Sequence, residues 1–135
     1  VYAAVQKAQT AAIKMVKSGV AIKRVDSVAR EVIAKHDLPV YGHGTGHGLG
    51  IEIHENPFLN AENKGKLKAG QIVTIEPGVY IPGKLGVRIE DDVLVTQTGC
   101  KILTPPAHIR LYRGPDCVKK DFLTKEVLES SPPIS

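Results

Sequence analysis

The 135-residue chain has no tryptophan, one methionine, two phenylalanines and four tyrosines. Without bulky rings, its core has to be built mostly from valine, isoleucine, leucine and alanine. Cysteine is also scarce. Cys100 and Cys117 form no CxxC pair and have no histidine beside them at zinc spacing, which speaks against a thiolate zinc module or a disulfide framework. Two incidental thiols in a reducing cytoplasm is the reading they support. Long apolar runs are missing as well: none approaches the roughly 20 residues needed to cross a bilayer. The first residues lack the charged, apolar and small-residue succession of a signal peptide, so no membrane role is expected.

What is present fits one ordinary globular domain, with 42% apolar and 24% charged residues. The net charge of +4 is unevenly spread. Residues 1–35 are basic, 36–100 acidic, and 101–135 basic again. Lys7, Lys14, Lys17, Lys23 and Arg24 have no interleaved aromatics and match no nucleic-acid motif, so they read as solvated helix faces and no nucleic-acid partner is expected.

Residues 3–17 carry Val5, Ala8, Ala12, Met15 and Val16 at helical spacing, closed by Ser18-Gly19. A second helix is expected over 23–36, with Val25, Val28, Ala29, Val32 and Ile33 as its buried stripe. It ends near His36-Asp37, ahead of Pro39. Residues 58–70 read as a polar connection closing at Gly70. Gln71 to Glu76 alternates as a strand, with Ile72, Thr74 and Glu76 on one face and Val73 and Ile75 on the other. After a turn at Pro82-Gly83, a strand from Gly86 to Thr96 is expected, its alternation broken at Asp91-Asp92 by a bulge or a switch of exposed face.

Residues 42–50 stand apart, with glycine at every second position. Such a run has no helix or strand propensity and is entropically expensive, so something other than packing has to justify it. His43, His47 and His54 are spaced through and just beyond it. Imidazole is a common metal ligand and a proton shuttle, so the segment reads as a shaped site. His36 instead suits the negative end of a helix, and His108, among proline and alanine, carries little weight.

Glu76 and Glu90 lie in runs that otherwise read as buried strand. A carboxylate there is costly unless it is paired or bound to metal. Pairing with Arg88 is one reading. The other is that both carboxylates project from one face of neighbouring strands and, with an imidazole, form an oxygen-rich set suited to Mn, Fe, Co or Zn.

Three segments occur in order: His43–Pro57, Thr74-Ile-Glu-Pro-Gly-Val-Tyr80, and Gly86-Val-Arg-Ile-Glu-Asp91. Together they resemble the pita-bread metallopeptidases over about residues 1–104. Pro77-Gly78 after the first glutamate and Arg88 before the second resemble the Xaa-Pro aminopeptidase and prolidase branch. The resemblance implies an α+β fold, part of a pita-bread domain, with helices on one face of a curved, mostly antiparallel sheet. It implies hydrolysis of the amide bond between an N-terminal residue and proline by a metal-activated water, on a peptide or dipeptide substrate. His47, Glu76 and Glu90 would be metal ligands, with Glu90 bridging two divalent ions, manganese first among them. Glu76 would also help take the proton from the attacking water. His54 would contact the scissile carbonyl oxygen, His43 would line the pocket, and Arg88 would support the site or meet the substrate's carboxylate.

The family pattern also needs two aspartates upstream of the first helix, and this sequence opens in that helix without an initiator methionine. The expectation is a piece of a longer polypeptide, or a chain that self-associates, with poor or absent activity by itself. A non-catalytic peptide-binding or interaction module of the same fold is the alternative. The expected division places the catalytic-domain segment over 1–112 and a weakly ordered tail over 113–135.

Overall fold

The computed structural model describes residues 1–105. The expected boundary at residue 112, the tail, His108 and Cys117 lie outside the described residues. Two helices come first, α1 (Tyr2–Met15) and α2 (Ile22–Ala34). Seven strands follow: β1 (Gly46–Gly48), β2 (Glu55–Leu59), β3 (Ile72–Ile75), β4 (Gly78–Ile81), β5 (Leu85–Arg88), β6 (Asp91–Val95) and β7 (Cys100–Ile102). Five of them form an antiparallel sheet in the order β2-β1-β3-β6-β7, while β4 and β5 make a separate hairpin.

The helices pair through small residues. Ala4, Val5, Ala8, Gln9 and Ala12 are buried on α1, and Ile22, Val25, Asp26, Ala29 and Ile33 on α2. Alanine is the best helix former and leaves room for a close neighbour. Val28 and Val32 lie at the margin of the α2 stripe, while Asp26 sits inside it, fully buried. The end of α1 is set by Gly19, whose φ of +84° suits glycine and whose N–H donates to the Leu67 carbonyl. At the end of α2 the His36 ring Nδ1 lies 2.8 Å from the Val32 carbonyl, where a histidine donor satisfies a terminal acceptor. The core is aliphatic: Ile33, Leu59, Leu67, Ile75, Val5, Val16, Val25, Val73, Val79, Val93 and Val95 are fully buried, and Tyr41 is the aromatic among the buried described residues. Each such Val, Leu or Ile side chain contributes about 1.5–3 kcal/mol.

Three expectations about strands need correction. First, the glycine run does contain a strand. β1 lies so close to its neighbours that a Cβ on Gly46 would strike the Thr74 carbonyl, and one on Gly48 the Asn56 carbonyl. The glycines there permit backbone to lie on backbone, which outweighs their poor strand propensity. Second, the expected polar connection over 58–70 does not begin at residue 58: Phe58 and Leu59 end strand β2, with Pro57 and Leu59 inward. Third, residues 86–96 are not one bulged strand. The chain leaves the hairpin after Arg88 and enters the main sheet at Asp91, with Ile89 buried at the crossing. The turn at Gly83 (φ +70°) is where it was expected. Strand β3 alternates less than its sequence does, because Val73, Thr74 and Ile75 are all buried: this central strand is covered on both faces.

Candidate metal centre

The site is assembled by two strand pairings. β1 pairs with β3 through Gly48 and Val73, and β3 pairs with β6 from Ile72–Leu94 to Ile75–Asp91. One step further along that register sets Glu76 opposite Glu90. His47, between the two close-packed glycines, donates its backbone N–H to Thr74 Oγ1 at 3.0 Å. Thr74 in turn donates its hydroxyl to Glu76 Oε1 at 3.0 Å. Ligand atoms of His47, Glu76 and Glu90 all lie within 4.8 Å of one another.

The surroundings fit a cation. His47 Nδ1 lies 2.9 Å from the Gly48 carbonyl, an acceptor, so that nitrogen carries the proton. In the neutral ring the lone pair is then on Nε2, which faces Glu76 Oε1 at 3.3 Å. Two acceptors at that distance call for positive charge between them, either a proton or a metal ion. A ligating imidazole whose other N–H is held by a backbone carbonyl is the usual arrangement at metal sites. One nitrogen and two carboxylates make a hard donor set suited to a divalent ion.

Glu76 is buried, as expected, and its second oxygen lies 3.4 Å from Arg88 Nη1, so the pairing with Arg88 coexists with the metal geometry. Glu90 corrects the expectation of a buried carboxylate: it is exposed, because Ile89 takes the inward position where the chain changes sheets. Asp91, next in sequence, accepts from buried Gln9 Nε2 at 2.8 Å, which ties this end of β6 to α1.

His43, His54 and Arg88 join the same connected set. The His43 Nδ1–H faces the Gly44 carbonyl at 2.7 Å, and its Nε2 lies 2.9 Å from the Tyr80 hydroxyl. Arg88 Nε donates to that hydroxyl at 2.7 Å. A guanidinium only donates, so the phenol proton is free to point at His43. His54 is exposed, with its ring centroid 4.3 Å from that of His47. The contacts therefore run His43–Tyr80–Arg88–Glu76–His47–His54 without a gap.

The sequence of this chain also matches the profile of metallopeptidase family M24 over residues 1–97. The chain belongs to metallopeptidase family M24. An uncharacterized peptidase of Staphylococcus epidermidis is 50% identical over 105 residues, which are 77% of this chain and 30% of that protein. Among solved structures, the X-Pro aminopeptidase of Thermotoga maritima superposes with a TM-score of 0.76 at 44% identity, covering 78% of this chain and 31% of that one. The prolidase of Pyrococcus furiosus gives 0.77 at 44% identity, over 80% and 32% respectively. This chain thus spans about 30% of the length of the curated relatives it matches. Its architecture is part of the pita-bread M24 fold, α+β with helices on one face of a curved, largely antiparallel sheet. Family members are metal-dependent peptide hydrolases. Among the described residues, no helix is long and apolar enough to cross a membrane.

Several residues of this M24 site were not legible as functional from the sequence. Tyr80 lies within a recognised segment but had no role assigned. Behind it, Asp26, Arg30, Tyr41 and Thr45 form a second polar network. The Tyr41 hydroxyl donates to Thr45 Oγ1 at 2.6 Å, and Thr45 donates to Asp26 at 2.7 Å. Burial pushes the Tyr41 phenol up to about 12, because the phenolate would lose its hydration. The Asp26 hydrogen bond raises the Arg30 pKa above its ordinary value. The signal for this network was an aspartate within an apolar helical stripe, four residues before an arginine.

Proposed function

We propose that this chain is the ligand-bearing part of a metal-dependent Xaa-Pro peptidase, an aminopeptidase or dipeptidase, whose substrate is a peptide or dipeptide with proline second. The observation that carries this reading is the convergence of His47, Glu76 and Glu90, with the His47 Nε2 lone pair turned toward Glu76. His47, Glu76 and Glu90 would hold the divalent metal, with manganese the expected ion and Co, Fe or Zn able to serve. When bound, such a metal lowers the pKa of a water and supplies positive charge to a developing oxyanion. The chain's own groups do the rest. Glu76 takes the proton from the attacking water while Arg88 balances its charge. His54, open to solvent, is free to donate to the scissile carbonyl oxygen. His43, held by Tyr80, lines the pocket, and Arg88 stands near enough to receive the substrate's carboxylate.

The two aspartates of the family pattern have no counterpart in this sequence, so the chain alone is expected to hold metal through three side chains and to hydrolyse poorly. The same proposal includes self-association, measurable as mass by sedimentation. A cytoplasmic location is part of the same proposal, since two cysteines without a disulfide framework suit a reducing compartment. Dialysis against Mn2+ followed by elemental analysis tests the centre. Near-stoichiometric metal is expected, with affinity lowered in Glu76→Gln by at least the roughly 100-fold that loss of a mere supporting partner can cost. A metal-free chain would favour the alternative, a non-catalytic peptide-binding module of the same fold. Efficient Mn2+-dependent cleavage of an Xaa-Pro dipeptide by this chain would overturn the incomplete-site part of the proposal.

A further inference from the structure

The geometry points to Arg30, held by Asp26, as a positioning residue for both His43 and Glu76, and we propose that role for it. The inference rests on the metallopeptidase reading for its importance, though not for its geometry. Arg30 lies on α2 and makes three hydrogen bonds from one planar fork. Nε donates to Asp26 Oδ2 at 2.8 Å, Nη1 to the Tyr41 carbonyl at 2.7 Å, and Nη2 to the His43 carbonyl at 2.6 Å. Its guanidinium carbon also stands 4.5 Å from the centre of the Tyr41 ring. The other oxygen of Asp26 accepts from Thr45 twice, from N–H at 3.2 Å and from Oγ1 at 2.7 Å. The Asp26–Arg30 pair therefore grips residues 41, 43 and 45, alternate positions of a segment that has no regular secondary structure of its own.

Two lines lead from that grip into the site. Pinning the His43 carbonyl fixes its backbone, leaving the ring only its side-chain torsions to place Nδ1 against Gly44 and Nε2 against Tyr80. Pinning Thr45 fixes the carbonyl that accepts the Glu76 N–H at 2.7 Å. Asp26 is buried and spends both oxygens here, so it is unsuited to serve as a further metal ligand. Lysine would keep the charge beside Asp26 but has no fork to reach two carbonyls at once.

The test uses the full chain, freed of metal with EDTA. Long-range proton–nitrogen spectra of the imidazole rings are expected to show His43 as the Nδ1–H tautomer. In Arg30→Lys, helix content and cooperative melting are expected to persist while the His43 ring signals move toward those of an exposed histidine and the His36 signals stay in place. Mn2+ titration of the same variant is expected to show affinity lowered by about 10-fold. Unmoved His43 signals in a folded Arg30→Lys or Arg30→Met chain would overturn the proposal. If neither variant folds, the unaltered chain decides. Its Arg30 Nη protons are expected to exchange and rotate more slowly than those of exposed Arg24, and equal behaviour would overturn the clamp. Failure of the metallopeptidase reading looks different, namely no Mn2+ uptake by the unaltered chain with its ring signals intact.

Discussion

The interior of the five-stranded sheet and the β4–β5 hairpin both supply side chains to the site, but they hold them by different means. His47 and Glu76 stand where β1, β3 and β6 meet, covered and tied through Thr74. Arg88 and Tyr80 stand on a two-stranded hairpin, each exposed and held through side-chain contacts. The glycines show the contrast most sharply. At Gly46 an added Cβ meets the backbone of Thr74, whereas at Gly86 it meets only the Tyr80 ring, 3.2 Å away. The proposed ligands His47 and Glu76 are placed by backbone packed on backbone, and the groups proposed to balance charge and face substrate by side chains that can give way.

The largest expected effect follows from that difference. Gly46→Ala forces β1 and β3 apart and should cost more than about 3 kcal/mol or abolish folding, since backbone has no rotamer to yield. Gly86→Ala asks a half-exposed tyrosine ring to shift by a few tenths of an ångström and should cost less than about 1 kcal/mol. Urea unfolding of the two variants measures the gap. Equal losses would erase the distinction between a rigid and a yielding half of the site.

The next effect is one of pH and belongs to the covered side. The folded pKa of Tyr41 is about 12 against an ordinary 10.0. A raised phenol pKa means the fold prefers the neutral form. Its contribution is therefore complete below pH about 10 and disappears as pH rises toward 12. The shift corresponds to at most about 2–3 kcal/mol. Unfolding free energies from pH 9 to 12 should fall more steeply for the unaltered chain than for Tyr41→Phe. Parallel slopes would mean that water reaches Tyr41 and that the packing of residues 41–45 is looser than drawn.

The parts of the molecule legible in the sequence are those whose physics is local. The α1 and α2 stripes follow helical spacing, and the Pro82-Gly83 turn follows from backbone preference. The residues singled out by chemistry, three histidines, two glutamates and Arg88, fall on one connected set. What escaped depends on neighbours distant in sequence. A strand made of Gly-His-Gly has no strand propensity and exists because Thr74 and Asn56 press on it. The end of strand β2, Phe58 and Leu59, reads as loop in the sequence because only Pro57 and Leu59 turn inward. Glu90 looked buried because Ile89 and Glu90 were read as continuing one strand, whereas the chain changes sheets there. Asp26 was passed over because a buried aspartate gains meaning only from Arg30 and Thr45.

The smallest expected effect is the one that best separates ligand from neighbour. His54 sits in the exposed stretch 50–54 with Ile51 and Ile53 open to solvent, and its ring approaches His47 without belonging to the group of three ligand atoms. An exposed ring outside the core has little packing to lose, so His54→Ala should change unfolding free energy by no more than about 0.5 kcal/mol. It should also leave Mn2+ stoichiometry as it was, because His47 keeps its Gly48 hydrogen bond and its aim at Glu76. A loss of metal as large as that of Glu76→Gln would make His54 a ligand. The metal would then span the covered sheet and the open loop, and the division of the site into a rigid ligand-bearing half and a yielding substrate-facing half would have to be redrawn.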